Sequence, residues 1–211
     1  MKRIRQISIV ATVILFGVLA IIIYRSREPR YQGRTLSAWI DEGRKSSRGQ
    51  PSWETARNAV RQMAPEVFPF LMEDIQAVDW PSKKNLIAWL KRHPSLPLKI
   101  RSAKDRHGQA NFAFQLLGGT AKPVQPALLK LTYAQDAETR ECAFHCLVAS
   151  RPDKETIMPV FLRLIHDPDT SVQRNAALSF CIWYRQDAEA AGVYKMFPEF
   201  LKLPLFFPPR E

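Results

Sequence analysis

Cys142, His145 and Cys146 stand at i, i+3 and i+4, a spacing that puts two thiols and an imidazole on one side of one helix. Those residue types bind zinc. A single helix does not supply three ligands in tetrahedral directions, however, and no C-x-x-C pair stands elsewhere in the chain. The order C-A-F-H-C also inverts the last two positions of the haem-attachment pattern C-x-x-C-H. These residues are therefore read as core thiols beside a surface or capping histidine, with no metal and no cofactor. Cys181 makes three cysteines, an odd number that excludes a disulfide framework. A single bridge between neighbouring helices stays open if the domain is exported.

The second stretch with chemistry in it is basic. Lys83, Lys84, Lys91, Arg92, Lys99, Arg101, Lys104 and Arg106 stand against Asp105, with Trp80 and Trp89 nearby. Cations interleaved with aromatic rings suit phosphates, either of nucleic acid or of an anionic lipid surface. The charge is concentrated in one stretch, whereas a nucleic-acid track would spread along the fold, so nucleic acid is disfavoured. The double glycine Gly118–Gly119 lacks the preceding strand and the Gly/Lys/Ser spacing of a phosphate loop, and reads as a helix C-cap and turn. No paired carboxylates and no Ser/His/Asp set stand out. The chain is read as non-enzymatic, with no catalytic residue.

Charge distribution sharpens this. The formal net charge is +11, of which residues 1–34 carry +6 (seven basic, one acidic) and residues 81–108 carry +7 (eight basic, one acidic). Residues 35–80 come to −2 and residues 109–211 balance at eleven against eleven. The first cluster flanks residues 7–24, ISIVATVILFGVLAIIIY, which hold no charge. As a helix they span about 27 Å, close to the ~30 Å hydrocarbon thickness. A cleaved signal peptide would be cut after Val18 and Ala20, but Ile21, Ile22 and Ile23 continue the apolar run past that point. An uncleaved single-pass anchor in a bacterial inner membrane is favoured. Basic residues lie on both flanks, so the positive-inside rule is nearly balanced. The basic head resembles an export signal, and this tips the domain to the non-cytoplasmic side.

The elements that position these residues follow in chain order. Residues 28–52 read as a linker, with Pro29 and Gly33 as breakers in 28–35 and a short amphipathic helix from Leu36 capped by Thr35 or Ser37. Trp39 on that helix is assigned to packing. Helix pairs are expected at 53–63 with 66–77, 101–117 with 124–133, 136–150 with 155–166, and 169–184 with 188–203. An extra amphipathic helix, 82–92, lies in an insert at 79–97. The device DPDTSVQRNAALSF at 167–180 has a close counterpart beginning at Asp136, 33 positions before Asp169. Such a period points to stacked repeats.

The second helices align on Pro69, Pro126, Pro159 and Pro198. Two positions before each proline stand Val67, Val124, Ile157 and Met196; two after, Leu71, Leu128, Phe161 and Phe200; three after, Met72, Leu129, Leu162 and Leu201. All are apolar and are expected to face the core. One and four positions after the prolines, Phe70, Glu73, Lys130, Arg163, Glu199 and Lys202 are expected on an opposite, exposed ridge.

On the residues 167–178, 136–144 and the four proline-anchored helices, the chain resembles HEAT-repeat proteins, an α-solenoid family. The resemblance covers about 53–203. Gln173 stands where that family commonly has arginine. Residues 31–39, of the form Tyr-x-Gly-basic-x-Leu-Ser-x-Trp, resemble bacterial members with an N-terminal membrane anchor. The resemblance implies an all-α solenoid of about four helix pairs whose concave face, lined by the ridge above, binds a protein partner. It also touches bilin lyases, enzymes with related repeats, but no residue set here carries that chemistry. Lipid or nucleic-acid binding through 83–106 is the alternative. The tail 204–211 is expected to fold Phe206 and Phe207 over the open end.

Overall fold

Within the expected linker 28–35, residues 30–35 pair into a tight hairpin. In the computed structural model, which describes residues 28–93 and 100–202, strand β1 (Arg30–Tyr31) runs antiparallel to β2 (Arg34–Thr35). Gln32 and Gly33 between them both take positive φ, 49° and 74°. A two-residue turn with that hand matches the right-handed twist of the strands, and glycine makes its second position cheap. The apolar segment 7–24, Lys99 and the tail from 203 lie outside the described residues. Among the described residues no helix is long and apolar enough to cross a membrane.

The chain divides into two compact units, Met1–Phe70 and Leu71–Glu211. In the first, the hairpin leads into α1 (Leu36–Arg44), which packs on α2 (Pro51–Gln62). Thr35 caps α1, accepting from Ala38 N at 3.3 Å. Glu28 is buried and accepts from the Ser37 amide at 2.5 Å and from the Ser37 hydroxyl. A carboxylate there satisfies amide hydrogens that the first turn of a helix leaves over. Trp39, 4% exposed, donates its indole N–H to Tyr31 O at 3.1 Å, and the Arg34 guanidinium lies 4.0 Å from its ring centre. The stretch 31–39 thus ties the hairpin to the first helix, which gives Tyr31, Gly33, Arg34, Leu36, Ser37 and Trp39 structural work. Helix α3 (Val67–Ile75) crosses the boundary between the units.

All the regular secondary structure among the described residues of the second unit is helical. It contains α4 (Pro81–Arg92), α5 (Ala103–Leu117), a 3-10 turn (Gly118–Val124), α6 (Gln125–Leu131), α7 (Ala137–Ala149), α8 (Lys154–Leu164) and α9 (Thr170–Trp183). Helix α7 packs against α5, α6 and α9, and α9 against α8. The helix expected at 188–203 is instead three short pieces: α10 (Arg185–Ala190), α11 (Val193–Met196) and a 3-10 turn (Pro198–Lys202). Gly192 at φ 74° stops the first piece, and Pro198 keeps Phe197 out of helical geometry at φ −132°, ψ 72°.

One capping device recurs along α5, α7 and α9. Ser102 accepts from Asp105 N at 3.1 Å, Asp136 from Thr139 N at 2.8 Å, and Asp169 from Ser171 N and Val172 N at 2.9 and 3.2 Å. These caps stand 34 and 33 positions apart (136 − 102 and 169 − 136). Four residues after the first two caps stand Arg106 and Arg140, and each reaches a buried aspartate. Arg106 Nε donates to Asp74 Oδ1 at 2.6 Å, and Arg140 donates to both Asp167 oxygens at 2.9 and 2.7 Å. Arg140 also donates to Ala134 O and Gln135 O, while Asp167 accepts from Asp169 N at 2.9 Å. One fork therefore joins the loop before α7 to the cap of α9. The third cap is followed by Gln173, with no arginine at that position.

Phe161 on α8 fills the space between α7 and α9. Its ring is fully buried, stacks on Phe180 at 4.7 Å and 11°, and meets Phe144 and Tyr184 edge-on at 5.5 and 5.7 Å. Burying such a side chain is worth roughly 1.5–3 kcal/mol, with about 0.5–1.5 kcal/mol more for well-placed ring pairs.

Two outcomes follow from this packing. Phe161→Ala should destabilise the second unit by about 3–5 kcal/mol, read as faster native-state hydrogen exchange in α7 and α9. Burial works to raise the Asp167 carboxyl, but the Arg140 guanidinium and the Asp169 amide outweigh it and hold it below the usual carboxylate range. A depressed folded-state pKa gives stability that is present above the ordinary value near 3.9 and is lost as the pH falls through the folded one. Asp167→Asn should therefore remove part of the acid destabilisation of α9 that sets in as the pH falls below the ordinary carboxylate value, measured by exchange at stepped pH.

Candidate interaction surface

The expected ridge does not form as one exposed face. On a helix, positions −2, +1, +2 and +5 relative to each proline share a side, since they are three, four and seven apart. Position +1 thus joins the core in α3 and α8, while Ala127 and Glu199 at the other two prolines are exposed. In α8 the positions sharing that side are Ile157, Val160, Phe161 and Leu164, all 3% exposed or less, and in α3 they are Val67, Phe70, Leu71 and Asp74, at 6% or less. Phe70 is a core residue, not a binding one. The column two after the prolines is buried throughout, as expected. The column three after is not: Met72 and Leu129 are half-buried, and Leu162 and Leu201 are exposed. Position +3 lies about 100° beyond +2 and falls on the rim. Met196 is likewise exposed, at 37%.

Of the remaining ridge residues, two are occupied with holding the fold. Arg163 donates to Thr132 O at 2.9 Å and to Thr132 Oγ1 at 2.7 Å, and its guanidinium lies 3.8 Å from the Tyr133 ring centre. It pins α8 to the end of α6, the helix that carries Lys130. Glu199 pairs with Arg174 of α9 at 2.5 Å. Glu73, Lys130 and Lys202 are exposed. Tyr133, 66% exposed beneath the Arg163 guanidinium, was not among the expected residues. Its signal in the sequence is slight: an aromatic residue just past the end of a second helix.

The basic stretch also divides. Lys83 pairs with Asp79 at 2.5 Å, Arg106 with Asp74, and Arg101 donates to Gln109. Burial works to raise Asp79, yet Lys83 and the Ala103 amide at 2.8 Å hold its carboxyl below the usual range. Asp79 so connects the base of α4 to the start of α5. Lys84, Lys91, Arg92 and Lys104 are exposed. Helix α4 itself buries none of its residues. Val78, Trp80, Leu86 and Trp89, in and just before it, are exposed at 56, 62, 44 and 48%.

Cys142 and Cys146 are buried, Cys142 donates to His107 O at 3.6 Å, and burial pushes the Cys146 thiol well up. All three cysteines are free. His145 is half-buried against Phe144, and burial lowers it below the usual imidazole value against an opposing pull from Glu141. Among the described residues no group of three or more His, Cys, Asp or Glu is arranged to hold a metal ion.

Comparison with protein-family models, curated proteins and solved structures finds no match to this chain.

The division of the ridge has a direct test. Arg163→Glu should cost about 1.5–3 kcal/mol by losing charged hydrogen bonds. Lys130→Glu and Lys202→Glu should each stay within about 0.5 kcal/mol of the parent. Urea unfolding followed by circular dichroism measures all three.

Proposed function

We propose that this protein is a membrane-tethered, non-catalytic scaffold of the HEAT-repeat type, an α-solenoid of stacked helix pairs that binds a protein partner. The observation that carries the reading is the recurrence of a side-chain helix cap at a period of 33–34 residues, at Ser102, Asp136 and Asp169, followed in the first two instances four residues later by an arginine bonded to a buried aspartate. A repeat that cannot hide its apolar side alone needs a neighbour, and the Arg140–Asp167 fork with the Phe144–Phe161–Phe180 cluster supports such joints between successive pairs.

The tether is residues 7–24, an apolar run of spanning length in the sequence. The reading places the protein in a bacterial inner membrane as a single-pass protein, with its domain on the non-cytoplasmic side. The partner surface is drawn from the exposed charges Glu73, Lys130 and Lys202, together with the exposed residues Tyr133, Leu162 and Leu201. Exposed aromatic and aliphatic residues among charges suit a protein face better than a phosphate track.

Proximity labelling from a C-terminal tag in the native host tests this. The expected result is a small set of membrane-associated or extracytoplasmic neighbours, lost at least fivefold in Lys130→Glu/Lys202→Glu. Labelling restricted to cytoplasmic proteins, or a neighbour set unchanged by the double charge reversal, would contradict it.

A further inference from the structure

Helix α4 has twelve residues and buries none of them. A helix of that length is marginal in water without a surface to pack on. Its inward side carries Lys83, Ile87 and Leu90, at spacings of four and three, and these are only half-buried. At 100° per residue the outward side is centred near Arg92, with Trp89 about 60° to one side and Lys91 about 100° to the other. Leu86 and Lys84 extend the two edges. The exposed half of the helix is thus an apolar strip of Leu86 and Trp89 beside a cationic strip of Lys84, Lys91 and Arg92. Trp80, the N-cap of α4, adds a second exposed indole at its start, and the Trp89 ring stacks on His93 at 4.4 Å.

No acidic residue occurs in α4. Two acidic groups near it among the described residues are already engaged: Asp79 with Lys83 and the Ala103 amide, and Asp105, which Lys91 influences, with Ser102. A second copy of the helix would bring like charge to like charge. A surface that is anionic and offers an apolar layer beneath its charges fits both strips at once. Indole rings favour the headgroup region, and clustered Lys and Arg are drawn to anionic lipid.

We propose that α4 lies on the surface of an anionic phospholipid bilayer, with Arg92, Lys84 and Lys91 at the headgroups and Leu86 and Trp89 in the interface. The proposal rests on the tethered reading in one respect: an anchor in the same chain keeps this helix at high local concentration near the lipid. The surface contact then orients the second unit on the membrane, where a single tether alone would leave it free to turn.

The test uses the full chain reconstituted into liposomes of phosphatidylcholine, or of phosphatidylcholine with a quarter phosphatidylglycerol. Flotation on pure phosphatidylcholine reports the tether and is scored separately. Amide exchange at 81–92 should slow at least fivefold on the anionic liposomes relative to the neutral ones, and the difference should collapse in 1 M salt, where the Debye length is about 3 Å. Lipids bearing a bromine or nitroxide near the headgroup should quench tryptophan fluorescence on the anionic liposomes only, and Trp89→Phe should remove most of the quenched component. Lys84→Glu/Lys91→Glu/Arg92→Glu should abolish both effects while leaving α7 and α9 exchange unchanged. Equal exchange at 81–92 on the two compositions overturns the proposal. So does protection already present on neutral liposomes, since another part of the chain or a protein would then be covering the helix.

Discussion

A guanidinium and a carboxylate withdrawn from water hold the second unit in register. The Asp167 side chain is 3% exposed and that of Arg140 11%, so neither can be left without the other at small cost. Their geometry uses most of what each group can offer. Arg140 forks onto both oxygens of Asp167 and donates to two carbonyls of the loop before its own helix, and Asp167 also accepts the amide of the residue that caps α9. The result fixes where α9 begins relative to where α7 begins. Once those starts are set, Phe144, Phe161 and Phe180 meet at ring distances that a shift of one residue would destroy. Arg106 and Asp74 repeat the same solution between α5 and α3.

Much of this was legible in the residues, and the reasons are local. Caps are read from a short polar side chain at the edge of a periodic apolar stretch, and Thr35, one of the two caps expected for the first helix, does cap it, as Asp136 and Asp169 cap α7 and α9. Trp39 packs as its place on an amphipathic face implies. Aligning the prolines also found the one column, two positions on, that is buried in every instance. What failed was the step from phase to direction. A proline marks position along a helix, but the side that is buried depends on what the helix meets, and in α3 and α8 it is +1 rather than +3 that turned inward beside it. Phe70 was misassigned for that reason.

Other features need partners distant in the chain. The aspartates that take up Arg106 and Arg140 lie 32 and 27 residues away, and counting charges along 83–106 could not show that Lys83, Arg101 and Arg106 are occupied. The hairpin at 30–35 was hidden because its strands are two residues each, too short for any alternation to register. The end of the described chain breaks into short pieces because a left-handed Gly192 and a helix-averse residue before Pro198 outweigh an apolar period of adequate length.

The claim that a buried ion pair sets the helix register is most directly tested by a double-mutant cycle on Arg140 and Asp167, each replaced by leucine singly and together. Hydrogen exchange of α7 and α9 would supply the free energies. A shared fork predicts that the two single replacements together cost at least about 1.5 kcal/mol more than the double replacement does. Additive losses, with coupling under about 0.5 kcal/mol, would mean that the ring cluster holds the helices without the charges, and the account would fail at its base.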